Sequence, residues 1–234
     1  MFTFMKNLKN VSFLFLNKWI FQIRGLMKNI LIFFIFLLIN INVIYCQTSE
    51  EHYTRGESYL ENNMLDEAIE EFKKSIELDP NFSDPHARLG VAYLRKGMLN
   101  EALLQFNQSI VLNPSDFEAF TYIGIIYRRK NMTDKSIIML KKAIEINPLY
   151  ITAVYNLGTA YLKKRELDKA IEYYNEVINV DSTYARVYFK LAQVYCITKQ
   201  YSLSWANVYK ARELGFKVSE KFIERLKNSS QEPK

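Results

Sequence analysis

The sequence predicts an all-α chain, a solenoid of five helix-turn-helix repeats finished by a single capping helix. Three observations carry this expectation. Only seven Gly and five Pro occur in 234 residues, so connections must be few and short, which suits helices joined by tight turns. Asp79-Pro80, Asn113-Pro114 and Asn147-Pro148 recur at an interval of 34 residues, and a fixed period of this length signals stacked repeats. Within each period, apolar residues fall twice at helical spacing.

Other residues share the 34-residue interval. Gly56, Gly90, Gly124 and Gly158 form one series, and Tyr59, Tyr93, Tyr127, Tyr161 and Tyr195 a second. Small residues make a third (Ala68, Ala102, Ser136, Ala170, Ser204) and large apolar ones a fourth (Phe72, Phe106, Leu140, Tyr174, Val208). These series divide the chain into frames 49–82, 83–116, 117–150, 151–184 and 185–216. In frame 83–116, Leu89, Tyr93 and Leu94 mark one amphipathic helix, and Ala102, Leu103, Phe106 and Ile110 mark another. Gly90 and Ala102 are small where the two helices must approach, Tyr93 and Phe106 fill the space between them, and Pro114 cannot extend the second helix. Gly97, like Asn63 and Asn131, is suited to the left-handed residue that ends a first helix.

This Leu-Gly, Tyr, Ala, Phe, Pro pattern resembles the tetratricopeptide repeat family, and the resemblance covers residues 49–216. It implies a right-handed α-solenoid. Repeats four and five depart from the pattern: Ser182 and Phe216 stand for Pro, Arg165 and Lys199 for Gly or Asn, and Ala192 for Gly. Terminal repeats are expected to degenerate. Residues 217–228, with Phe222, Ile223 and Leu226 on one face, read as the capping helix, and 229–234 as a disordered tail.

The family resemblance also implies a concave groove lined by the first helix of each pair. By repeat position that groove holds Tyr53 and Glu57; Ala87, Val91 and Arg95; Thr121, Ile125, Arg128 and Arg129; Tyr155, Asn156, Thr159 and Lys163; and Arg186, Phe189, Lys190 and Gln193. Such a mixed aromatic and basic lining suits an extended peptide with an acidic group. Asn156, Arg186 and Lys190 occupy three of five positions of the carboxylate clamp of chaperone-binding members, whereas Thr121 and Ile125 replace its Lys and Asn.

Ahead of the repeats, Ile30 to Ile39 form an unbroken apolar run preceded by Lys28 and followed by polar residues, the layout of a secretory signal over 27–46. Asn40 and Asn42 end the run short of the ~20 apolar residues of a comfortable membrane span. A start at Met27 makes 1–26 an upstream extension or leader. Val43-Ile44-Tyr45-Cys46 resembles a bacterial lipoprotein box, which makes Cys46 a candidate lipidation site, although Tyr45 stands where that family has a small residue. Lys6, Lys9, Lys18, Arg24 and Lys28 all precede or open the apolar run. The positive-inside rule then places the repeats across the membrane, in a periplasmic or other extracytoplasmic setting.

Those five cations account for most of the formal net charge of +6, leaving +1 for the remainder, so no general nucleic-acid footprint is expected. His52 and His86 lack a third metal ligand, Cys196 has no activating neighbour, and Glu67, Glu70 and Glu71 read as a solvated helical face. No catalytic motif, metal or cofactor site is evident. The expected function is therefore a non-catalytic protein-interaction scaffold, exported across or anchored to a membrane, with a peptide or protein partner in the groove. The alternative is an anchored cytosolic receptor or co-chaperone that binds acidic peptide tails.

Overall fold

The computed structural model describes residues 48–230, together with Met27. The leader 1–26, the rest of the signal-like segment 27–46 with Cys46, and residues 231–234 lie outside the described residues. Among the described residues there are eleven helices and no strand. Helix α1 covers 48–61. There follow α2 (Leu65–Leu78), α3 (Ser83–Arg95), α4 (Leu99–Leu112), α5 (Phe117–Arg129), α6 (Thr133–Ile146), α7 (Ile151–Lys164), α8 (Leu167–Val180), α9 (Ala185–Ile197), α10 (Tyr201–Glu213) and α11 (Glu220–Ser229). Each frame thus corresponds to one helix pair, the first pair beginning one residue early at 48, and each pair stacks on the next. The result is an all-α solenoid in which every repeat buries its neighbour's apolar face. Among the described residues no helix is long and apolar enough to cross a membrane.

The interlock inside a pair follows directly from residue size. Ala68, Ala102, Ser136, Ala170 and Ser204 are fully buried on the second helices, as are Phe72, Phe106, Leu140, Tyr174 and Val208 one turn on. A Cβ added to Gly90 would sit 2.9 Å from Phe106 Cζ, and one added to Gly158 2.8 Å from Tyr174 Cε1. The ring occupies the space that the glycine leaves. In the fifth pair Ala192 supplies that Cβ, and the opposing residue shrinks to Val208, so the volume of the contact is conserved.

Short connections within pairs require a positive φ. Asn63, Gly97 and Asn131 adopt it as expected, with φ of 58°, 79° and 61°. Arg165 and Lys199 do so too, at 66° and 61°, against a left-handed penalty of roughly 1–2 kcal/mol for a residue with a Cβ. Packing of the flanking helices therefore dictates the turn, and the residue follows. Between pairs, Asp79, Asn113, Asn147 and Asp181 each accept a bond at Oδ1 from the backbone N–H two residues on. Ser182 in place of proline leaves that turn intact.

Two sequence expectations are corrected. Glu71 does not lie on a solvated face with Glu67 and Glu70: it is buried, 2.7 Å from His52 Nδ1 and 2.9 Å from Lys74 Nζ. Its position faces the first helix of its own pair, just as Gln105 meets His86 at 2.8 Å one repeat later. Although burial opposes ionisation, the Lys74, His52 and Arg55 partners hold its carboxyl below the usual range. The capping helix spans Glu220–Ser229, starting three residues after the expected 217 and ending one after 228, and Ser230 accepts a 3.1 Å bond at Oγ from buried Trp205 Nε1. The tail expected from 229 thus begins with residues tied to the last repeat.

Successive repeats are also joined along their first helices. Arg95 Nη1 donates to the Leu60 carbonyl at 2.7 Å, and Lys163 Nζ to the Arg128 carbonyl at 2.8 Å and Asn131 Oδ1 at 2.7 Å. Each cation grips the carboxyl end of a first helix in the preceding repeat, where the helix dipole favours it.

Gly90→Ala should destabilise the fold by about 1–3 kcal/mol, because the buried Phe106 ring has nowhere to move. Ser136 Oγ is buried without a hydrogen-bond partner where three other repeats carry Ala, so Ser136→Ala should stabilise by about 1 kcal/mol. Urea unfolding followed by circular dichroism reads both changes.

Candidate functional site

Helix α5 packs directly on α7 and α7 on α9, while among the described residues the second helices of neighbouring repeats make no comparable contact. First helices are therefore crowded together on one side, which makes that side the inner face of the curve. Arg128 on α5, Asn156 on α7, and Arg186 and Lys190 on α9 converge there. Arg128 Nη2 donates to Asn156 Oδ1 at 3.3 Å, and Asn156 Nδ2 donates to the Thr152 carbonyl at 2.8 Å. Among the described residues, Arg128, Arg186 and Lys190 form no ion pair with a carboxylate, and Arg128 Nε is buried with no hydrogen-bond partner.

The unusual member is Arg128. Its place in the repeat is held elsewhere by Leu60, Leu94, Leu162 and Cys196, so a guanidinium stands in an otherwise apolar column. Burial followed by repulsion from Arg129 lowers its pKa from the ordinary arginine value, although nearby Tyr155 and Tyr174 oppose the shift. Burial, then Arg128 and Arg186, lowers that of Lys190. Beside them Tyr155 packs edge-on to Tyr184 at 5.4 Å, and burial pushes its hydroxyl up to about 12. A desolvated cluster of like charges costs stability unless an anion joins it.

The opposite end of the groove is acidic. Arg88 Nε lies 3.4 Å from Glu57 Oε1, and its Nη1 lies 3.9 Å from Glu118 Oε2. Glu57 Oε1 is buried and receives no well-directed hydrogen bond. Burial raises the pKa of Glu57 even against the pull of Arg88. Tyr53, Asp84, Arg88, Phe117 and Glu118 border an open cleft at this end.

The groove residues expected from sequence separate into surface and floor. Arg95, Arg129, Lys163 and Arg186 are exposed, and Tyr53, Glu57, Ile125, Arg128, Thr159, Phe189, Lys190 and Gln193 are partly exposed. Val91, Tyr155 and Asn156 are buried in the floor. Thr121 is 1% exposed and donates its hydroxyl to the Phe117 carbonyl at 2.8 Å, so it lies beneath the surface. Arg88 and Glu118 escaped the sequence reading. Arg88 could have been found by stepping back from Lys190 and Asn156 in 34-residue intervals, which passes through Tyr122 to Arg88. Among the described residues no three metal-ligating side chains converge, and Cys196 is a buried free thiol.

With the geometry in place, comparison with known proteins is informative. Models described as TPR repeat and tetratricopeptide repeat match residues 56–97, 118–148 and 152–184. No curated protein sequence matches the chain. Among solved structures, that of MamA is 28% identical with a TM-score of 0.62, covering 72% of this chain and 96% of its own. PilW, described as a widely conserved type IV pilus biogenesis factor, is 16% identical with a TM-score of 0.71, covering 78% and 86%. YrrB, described as a TPR protein with an unusual peptide-binding site, is 19% identical with a TM-score of 0.58, covering 70% and 84%. At these identities the last two show a shared fold.

Removing one member of the like-charged cluster should relieve repulsion. Lys190→Met is expected to raise the thermal midpoint at low salt, with the increment shrinking at 1 M salt as screening replaces it. Since the Lys190 pKa is lowered in the folded state, wild-type stability should rise as pH climbs through that lowered value towards ~10.4, and the variant should lack this component. Thermal melts of the two proteins across pH and salt check both expectations.

Proposed function

The chain belongs to the tetratricopeptide repeat family, and from that premise we propose that it is a non-catalytic protein-interaction scaffold whose first-helix groove holds a peptide segment of a partner through an anionic group. The observation that carries this reading is the convergence, without a carboxylate, of Arg128 from repeat three with Arg186 and Lys190 from repeat five. A leucine would satisfy the Arg128 position for folding. The guanidinium there leaves Nε unpaired, and a side-chain or terminal carboxylate would complete it in a partly dry site where charge-assisted bonds are strong. Asn156 holds the guanidinium in place, and the aromatic rings beside it offer flat apolar contact area to the rest of the segment.

The signal-like segment supports an exported or membrane-anchored protein, and the shared fold with a type IV pilus biogenesis factor is consistent with an envelope setting. A bacterial lipoprotein anchored at Cys46 is the specific form of this proposal. The second reading, a cytosolic receptor for acidic peptide tails held by a retained anchor, uses the same cations and differs in membrane orientation.

Fluorescence anisotropy of the full chain with labelled eight-residue peptides tests the groove. A peptide ending in Asp with a free carboxylate should bind at least about fivefold more tightly than its amidated Asn counterpart, and Arg128→Leu should erase the difference without loss of fold. Equal affinities in the wild type would remove the basis for the proposal.

Intact mass spectrometry of protein from native membranes tests localisation. A chain beginning at Cys46 with added acyl mass is expected, whereas an unmodified chain retaining Ile30 to Ile39 would favour the cytosolic receptor.

A further inference from the structure

Resting on the groove reading above, we infer that the groove recognises charge separation: it takes an extended peptide segment with a cation at the end formed by repeats one to three and an anion about six residues away, over repeats three to five.

The charge on one repeat position carries the idea furthest. Glu50, Asp84, Glu118, Thr152 and Arg186 follow one another at 34-residue intervals, one per repeat, at the start of each first helix. This column is acidic in three repeats, neutral in the fourth and basic in the fifth. Simple solvation of a helix start would favour acid at all five, and the change of sign runs against that preference at Arg186.

Buried polar groups point the same way. Only three described buried side-chain N or O atoms lack a hydrogen-bond partner: Ser136 Oγ in the helix interface, Glu57 Oε1 and Arg128 Nε. The last two are oppositely charged, both belong to first helices, and they lie two repeats apart. Each is of the kind that costs free energy until a partner completes it. Arg88 sits between Glu57 and Glu118 without a well-directed bond to Glu57, and Asp84 adds a further negative charge to this end. At the other end the cations have no acid among them. A uniformly acidic peptide would suffer repulsion near Glu57 and Glu118, and a uniformly basic one near Arg128, so like-charge penalties at each end exclude both.

Packed helix axes lie roughly 8–10 Å apart, so the two repeat steps from α1 to α5 cover roughly 20 Å. Extended chain advances about 3.3 Å per residue, which places the two peptide charges about six residues apart. Partly exposed Tyr122 on α5 and Tyr150 just before α7 offer contact area without charge near the middle of the groove.

Three labelled ten-residue peptides, acetylated and amidated to remove terminal charge, test the inference by anisotropy on the full chain. One carries Lys and Asp six residues apart, one carries them two apart, and one carries Asp alone. The six-residue spacing should bind about fivefold more tightly than Asp alone, the order of one partly exposed ion pair, and the two-residue spacing should show no such gain. The double variant Glu57→Gln, Glu118→Gln should lose the gain while keeping its affinity for the Asp peptide, with circular dichroism confirming its fold. Equal binding of the Asp and six-residue peptides would overturn charge separation and leave anion recognition standing. An equal gain at two-residue spacing would also overturn it. Failure of all three to bind would defeat the groove reading itself.

Discussion

The fit of a glycine against a large side chain across each helix pair sets the geometry on which everything else depends. Phe106 reaches the backbone of Gly90 because no Cβ intervenes, and the fully buried Ala102 lets the two helices approach one turn away. Close approach of the two helices fixes each repeat as a rigid unit, and near-identical units stack with a constant rotation. Curvature is the sum of those rotations, so the inner face exists because the interlock repeats. When Ala192 breaks the pattern, Val208 compensates by losing volume, and both stay fully buried, so the contact remains filled even where the residues differ.

On this scaffold, function resides in positions that packing leaves unconstrained or that contradict it. Arg128 belongs to the second kind: its column holds Leu in three repeats and Cys in another, yet here it carries a guanidinium. Local consistency is the rule for a foldable sequence, and a breach without compensation marks a place where another demand was met. Lys190 and Arg186 face it from the first helix two repeats on, with Asn156 on the helix between. The groove therefore trades some stability for a surface that is incomplete in isolation.

Most of the architecture was legible because the signals are periodic. Glycine, tyrosine, small and large apolar series coincide at 34 residues, and no other secondary structure suits so few Gly and Pro. The errors share a cause. A rule about helix ends assigns Glu71 to water and takes no account of His52 on the partner helix, yet that contact decides its burial. Arg88 and Glu118 were missed because they meet across repeat boundaries, where distance along the chain conceals proximity. Register alone places Thr121 in the groove lining, although its hydroxyl returns to the backbone of its own helix. Arg165 and Lys199 looked like departures and proved to be the same turn, since helix packing imposes a backbone conformation that a single residue cannot veto.

The contacts from Arg95 to the Leu60 carbonyl and from Lys163 to the Arg128 carbonyl have a mechanical meaning. They are polar, lie along the first helices and join neighbouring repeats beside the apolar faces those repeats share, whereas the closer glycine interlock lies within each pair. Bending the array would strain these ties before it disturbed a repeat core. The molecule thus resembles a spring of stiff coils with compliant joints, and small hinge angles accumulated along it let the groove follow the contour of a long guest while each helix pair stays unchanged.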